Sequence, residues 1–174
     1  MTHFHHGVAC EVAHGTAPAQ SDGRALVAVF ATPVADYLLR YAADAGYRAV
    51  LVEPDPERAK TSVPGVQVTA SLGAIPDPGT DVVVTDHHRD EIGLVLRDAL
   101  ATPARWVGIM GSPRVEPPHL EALALLGVEP GEIARVHRPI GLNIGSRTPA
   151  EIAIATLAGL IADRNGRPGG FDFG

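Results

Sequence analysis

Short continuous apolar runs alternate along this chain with segments whose apolar residues recur every three or four positions. Ala25–Phe30 is unbroken apolar sequence, the mark of a strand buried on both faces. Thr32-Pro33 follows as an N-cap with proline in the first helical turn. Val34, Leu38, Tyr41, Ala42 and Ala45 then fall at helical spacing, and Gly46 stands where a helix stops. Further strands are predicted at Ala49–Val52, Val66–Thr69, Asp81–Thr85 and Arg105–Met110. Helices are predicted through Ile92, Val95, Leu96, Ala99 and Leu100, and through Leu120, Leu123 and Ala124 up to Gly127. A last helix, roughly Pro149–Arg164, opens on Thr148-Pro149-Ala150-Glu151, a capping box with proline at the first position. It is apolar on almost every side and is expected to be buried.

Strands alternating with helices imply right-handed βαβ units. The expected fold is α/β: a doubly wound, mostly parallel, Rossmann-like sheet in a three-layer αβα arrangement. Residues 1–24 show little periodicity and are expected to be a flexible tail. Residues 25–166 form the domain, and the Pro/Gly-rich 167–174 a loose end.

Composition narrows the functional classes. The 174 residues carry a net charge of −6, which offers no basic footprint for bulk nucleic acid. No run of about 18 apolar residues suggests a membrane span, and the N-terminus has no secretory pattern. One cysteine, Cys10, fits a reducing cytoplasm. Lysine occurs once, at Lys60. His3, His5, His6 and His14 with Cys10 lack the spacing of a metal site, and no metal centre is expected. No catalytic residue is assigned: neither a nucleophile elbow nor a Walker A sequence occurs.

Sheets of this kind bind ligands at the carboxyl ends of their strands. After the first strand, a dinucleotide site requires glycines, but Phe30-Ala31-Thr32-Pro33-Val34-Ala35 has none. Glu53 ends the second strand, where an acid can hold ribose hydroxyls. Thr85, Asp86 and His87 end the fourth. His87 and His88 would point to opposite faces of a strand unless the chain bends. Gly111, Ser112 and Arg114 end the fifth, a turn suited to a phosphate or carboxylate. Gly141, Asn143, Gly145, Ser146 and Arg147 run into the last helix N-terminus, an expected anion site. Each place also has a plain structural reading as turn, cap or crossover loop.

Three of these segments, in order, resemble the C-terminal Rossmann-like domain of the XdhC/CoxI family. Arg138-Pro-Ile-Gly-Leu-Asn-Ile-Gly-Ser-Arg-Thr-Pro-Ala-Glu-Ile-Ala153 is similar to that family's Pro-Ile-Gly-Leu-Asp-Ile-Gly signature and following helix. Trp106-Val-Gly-Ile-Met-Gly-Ser-Pro-Arg114 resembles its Tyr-Val-Gly-x-x-Gly-Ser-x-Arg segment, and Val84-Thr-Asp-His-His88 its Thr-His-Asp-His strand end. The resemblance implies an accessory protein, not an enzyme, that binds the molybdenum cofactor (molybdopterin) or helps deliver it to a molybdenum hydroxylase. The family's Gly-x-Gly-His-x-Gly loop is replaced here by Phe30, Thr32, Pro33 and Ala35, which argues against NAD(P). Its cysteine-bearing N-terminal domain is not matched, which implies a separate N-terminal-type XdhC/CoxI partner. A homodimer is expected for an apolar chain of this size. Two alternatives stay open: an NAD(P)-binding oxidoreductase-like domain, and a non-catalytic scaffold domain.

Overall fold

In the computed structural model, residues 8–17 and 23–170 are described. His3, His5 and His6 lie outside them. The elements in chain order are α1 (Val8–Ala13), β1 (Ala25–Val29), α2 (Pro33–Asp44), β2 (Arg48–Val52), β3 (Gln67–Thr69), β4 (Thr80–Val84), α3 (Ile92–Leu100), β5 (Trp106–Ile109), α4 (Pro118–Leu125), α5 (Pro130–Ile133), β6 (Val136–His137) and α6 (Pro149–Arg164).

The six strands form one parallel sheet in the order β3-β2-β1-β4-β5-β6. The chain winds outward from β1 to β3, returns to the centre at β4 and winds the other way. Neighbouring carboxyl ends at β1 and β4 therefore carry loops that diverge, which opens a crevice there. This is the Rossmann-like three-layer arrangement.

Strand alternation divides the core. Val27 and Val29 of β1 face a layer built from Ile92, Leu96 and Leu123 of α3 and α4. Leu26 and Ala28 face the opposite layer, with Leu38 and Leu39 of α2 and Leu157 and Leu160 of α6. Burying one such leucine contributes about 1.5–3 kcal/mol, so the two layers hold the sheet between them.

The helix starts follow their capping chemistry. Thr32 Oγ1 accepts from the Ala35 N–H at 3.0 Å, with Pro33 in the first turn of α2. Thr148 and Glu151 form the reciprocal box at α6. Gly46 and Gly127 adopt the positive φ that ends α2 and α4.

The structure differs from the sequence expectations at four places. β1 ends at Val29, because Phe30 turns to φ +74°. A two-residue strand, β6, and a one-turn helix, α5, are too short to carry a period. Within the stretch expected to be a tail, Val8–Ala13 is helical. α6 is buried along Ala153, Leu157 and Leu160, but Ile154 is half exposed, because α2 covers one side of the helix only.

Candidate functional site

At the first crevice loop, Phe30 and Glu53 are engaged by the protein itself. Phe30 holds a left-handed backbone, a conformation that costs a non-glycine residue about 1–3 kcal/mol. Three contacts fix it. Its N–H donates to the Val52 carbonyl at 2.8 Å. Its carbonyl accepts from Thr85 Oγ1 at 3.0 Å. The Arg89 guanidinium lies 4.5 Å from its ring centroid. Arg89 also donates to both oxygens of Glu53, at 2.8 and 3.2 Å.

Glu53 is fully buried at the end of β2. It accepts further from the Ala31 N–H at 2.9 Å and the Asp55 N–H at 3.1 Å. Burial alone would raise its carboxyl, but the hydrogen bonds from Arg89, Ala31 and Asp55 outweigh it, and the group lies below the ordinary glutamate range. Ala31 N–H and Glu53, the donor and the acid that a nucleotide would use here, thus bind each other and Arg89.

Thr85 sits in the same knot. Its hydroxyl donates to the Val29 and Phe30 carbonyls and accepts from Thr32, each at 3.0 Å. It is 7% exposed, so it staples β4 to the β1 turn and offers little surface to a ligand.

Beyond Thr85 the chain bends. Asp86 accepts from the His88 N–H at 2.9 Å, an Asx turn. The turn brings the His87 and His88 rings side by side, with centroids 4.0 Å apart, where a continued strand would have separated them. Among the described residues, no group of three or more His, Cys, Asp or Glu is arranged to hold a metal ion.

At β5 and β6 the decisive residue is Arg138. Its Nη2 donates to the Ser112 and Val115 carbonyls, at 2.9 and 3.1 Å. It lies against Gly111, where a Cβ would stand 2.6 Å from Arg138 Nε. Gly111 is therefore the opening through which the guanidinium reaches the loop. Ser112 Oγ accepts from the Arg114 N–H at 3.2 Å, and Arg114 is exposed.

Two buried nitrogens here lack partners among the described residues: Arg138 Nε and Nδ1 of His119. His119, in the first turn of α4, is 3% exposed. Burial pushes its imidazole below the ordinary histidine value, and the Arg138 charge pushes it further. His87 is lowered for the same reasons, with His88 adding to the effect and Asp86 opposing it. Neither His119 nor Arg138 was singled out as a site residue. Arg138 had a signal, as it opens the Pro-Ile-Gly-Leu-Asn segment; His119, inside Pro-Pro-His-Leu, had none.

The last loop divides. Gly141, at φ +84°, lies so close to α6 that a Cβ would stand 3.0 Å from the Ala155 and Thr156 backbone. Leu142 N–H donates to the Ala155 carbonyl at 3.0 Å. Gly141 is thus a packing residue. At Gly145-Ser146-Arg147, the backbone donors expected to take an anion meet the chain's own acid. Arg147 and Thr148 N–H donate to Glu151 Oε2 at 2.6 and 3.1 Å, and Ser146 Oγ donates to the Glu151 carbonyl at 3.2 Å. Asn143, Gly145 and the Arg147 side chain remain exposed.

This fold and these loops match a known family model, the XdhC Rossmann domain, over residues 26–160. The chain belongs to that family. The chain is 37% identical over 93 residues to the uncharacterized protein YqeB of Escherichia coli K12, a match covering 53% of this chain and 17% of the relative. It also superposes with a TM-score of 0.66 on a Bacillus halodurans crystal structure described as a xanthine dehydrogenase. That match, at 22% identity, covers 82% of this chain and 45% of the other. The family member described here thus spans less than half the length of both. Among the described residues, no helix is long and apolar enough to cross a membrane.

Proposed function

We propose that this domain is an accessory module for a molybdenum hydroxylase, holding the phosphate-bearing pterin of the molybdenum cofactor at the carboxyl ends of β4, β5 and β6. The observation that carries the reading is Arg138. Its Nε is a buried cationic donor without a partner, beside a second unpartnered nitrogen, His119 Nδ1. Buried polar groups are rarely left unpaired, and each costs about 1–3 kcal/mol when they are. A phosphate with several acceptor oxygens suits such donors. The exposed Arg114, Arg147 and Asn143 stand on the neighbouring loops, and Asp86 and His87 at the end of β4 supply polar groups of the kind a pterin edge pairs with. When bound, the cofactor supplies the redox-active metal; this chain's residues bind, orient and release it.

The family assignment supports an accessory role rather than catalysis. The dinucleotide reading is disfavoured by the absence of glycine from Phe30 to Ala35 and by Arg89, which takes the acid that it needs. The proposal includes a separate N-terminal-type XdhC/CoxI partner and the hydroxylase itself as the recipient.

Calorimetry with molybdopterin tests the reading. Wild-type protein is expected to bind, and Arg138→Ala to bind at least about ten-fold more weakly, the loss expected for one charged hydrogen-bond donor. Equal binding by both proteins would remove Arg138 from the site. Binding by neither would remove the cofactor.

A further inference from the structure

A cleft lies on the other wing of the sheet, away from Arg138, at the β1–α2 turn of Ala31, Thr32 and Pro33. It has a volume of about 550 Å³ and is walled by the start of α2 and by the segment that follows β2. Three cations line it: Arg40, Arg58 and Lys60. They stand together on a chain whose net charge is −6, and Lys60 is its one lysine.

The wall is built. Asp36 of α2 accepts from Thr61 Oγ1 at 2.7 Å, from Ser62 Oγ at 2.7 Å and from the Ser62 N–H at 3.3 Å. These bonds pin the loop that carries Arg58 and Lys60 against the helix that carries Arg40. They also engage both oxygens of the one acid in the cleft lining. Arg58 keeps a solvent-exposed pair with Asp55 at 3.2 Å, worth about 0–1 kcal/mol and easily exchanged. No ion pair engages the Lys60 ammonium or the Arg40 guanidinium among the described residues. Tyr37, 37% exposed, presents its ring at the same wall, with Arg40 5.8 Å from the centroid.

We propose that this cleft binds the phosphate group of a small organic phosphate, through Arg40, Arg58 and Lys60. Converging cations on a pinned loop select a compact multivalent anion over a single carboxylate. The positive end of α2, a twelve-residue helix, adds to the same field. The site uses none of the residues proposed for the molybdenum cofactor, so the two readings stand or fall separately.

The test is calorimetry of the full chain with adenosine monophosphate and inorganic pyrophosphate, with adenosine as the uncharged control. Both phosphates are expected to bind, and adenosine to bind at least about ten-fold more weakly than its monophosphate. The exposed double variant Arg58→Ala/Lys60→Ala, checked by circular dichroism for an unaltered melt, is expected to weaken both phosphates about ten-fold or more. Arg138→Ala and Arg147→Ala are expected to leave them unchanged. The proposal is overturned if neither phosphate binds more tightly than adenosine. It is equally overturned if the double variant keeps wild-type affinity, or if Arg138→Ala or Arg147→Ala weakens the phosphates instead.

Discussion

Arg89 grips both oxygens of Glu53, at 2.8 and 3.2 Å, across 36 residues of sequence. Glu53 has no solvent exposure and Arg89 little. The pair occupies the place where a Rossmann sheet ordinarily meets a ribose.

Removing the cation alone therefore strands a buried carboxylate. Arg89→Ala is expected to cost about 3–5 kcal/mol, read as a fall in the urea midpoint at constant slope. Because the Glu53 carboxyl is held below its ordinary value, its contribution is complete at neutral pH. It is lost as pH falls through the acidic range toward that lowered value. Wild type should lose more stability on acidification than Glu53→Gln; parallel profiles would contradict the assignment.

Gly108 makes room for the one tryptophan. A Cβ there would stand 2.2 Å from the Trp106 ring, which stacks on His137 at 4.8 Å and 9°. Gly108→Ala is expected to push the indole off the histidine and to cost about 1–3 kcal/mol by overpacking. Fluorescence should report it as a changed emission maximum in the folded state. An unchanged spectrum would mean that the ring has another place to go.

His87 and His119 give the fold a second acid sensitivity, at milder pH. Both imidazoles are lowered, chiefly by burial, so the unfolded chain takes up protons first as pH falls below about 6.5. Stability contributed by the neutral rings is present above that value and declines below it. A His87→Gln/His119→Gln double variant is expected to flatten the melting temperature across this range. Equal slopes would show that the rings titrate normally.

At the opposite end of the sheet, Asp81 is fully buried and serves two arginines. Arg105 Nε reaches it at 2.7 Å and Arg164 Nη2 at 3.0 Å. Either arginine can be removed while the other remains. Arg105→Ala and Arg164→Ala together are thus expected to cost more than the sum of the singles, with a coupling of about 0.5–3 kcal/mol. Additive losses in a double-mutant cycle would show that the two pairs act independently.

Local chemistry made β1, α2 and α6 readable: a continuous apolar run, then Thr32-Pro33, then Thr148-Pro149 with Glu151. The same locality explains what was missed. Glu53 and Arg89 meet only because β2 and the β4 loop are brought to one end of the sheet, and neither residue's neighbours announce it. Thr85 stands at a strand end, where a ligand-binding role is expected, but its bonds to the Val29 and Phe30 carbonyls turn it inward. Glu151 was read correctly as a capping residue, yet its consequence, that it takes the amides of Arg147 and Thr148, appears only in three dimensions. The Arg58–Lys60 cleft was invisible because its residues follow β2 without any periodic pattern.

The contact between α2 and α6, and the close approach of Gly141 to Gly159 that rests the β6 loop on α6, bear on the order of events during synthesis. α2 leaves the ribosome well before α6, since β2 to β6 all lie between them in the chain. Until residue 164 has emerged, the layer over Leu38 and Leu39 lies open and the β6 loop has nothing to rest on. Contacts between such distant segments fold slowly. The domain therefore cannot mature vectorially; a stalled or truncated chain would expose apolar surface to the cell's chaperones.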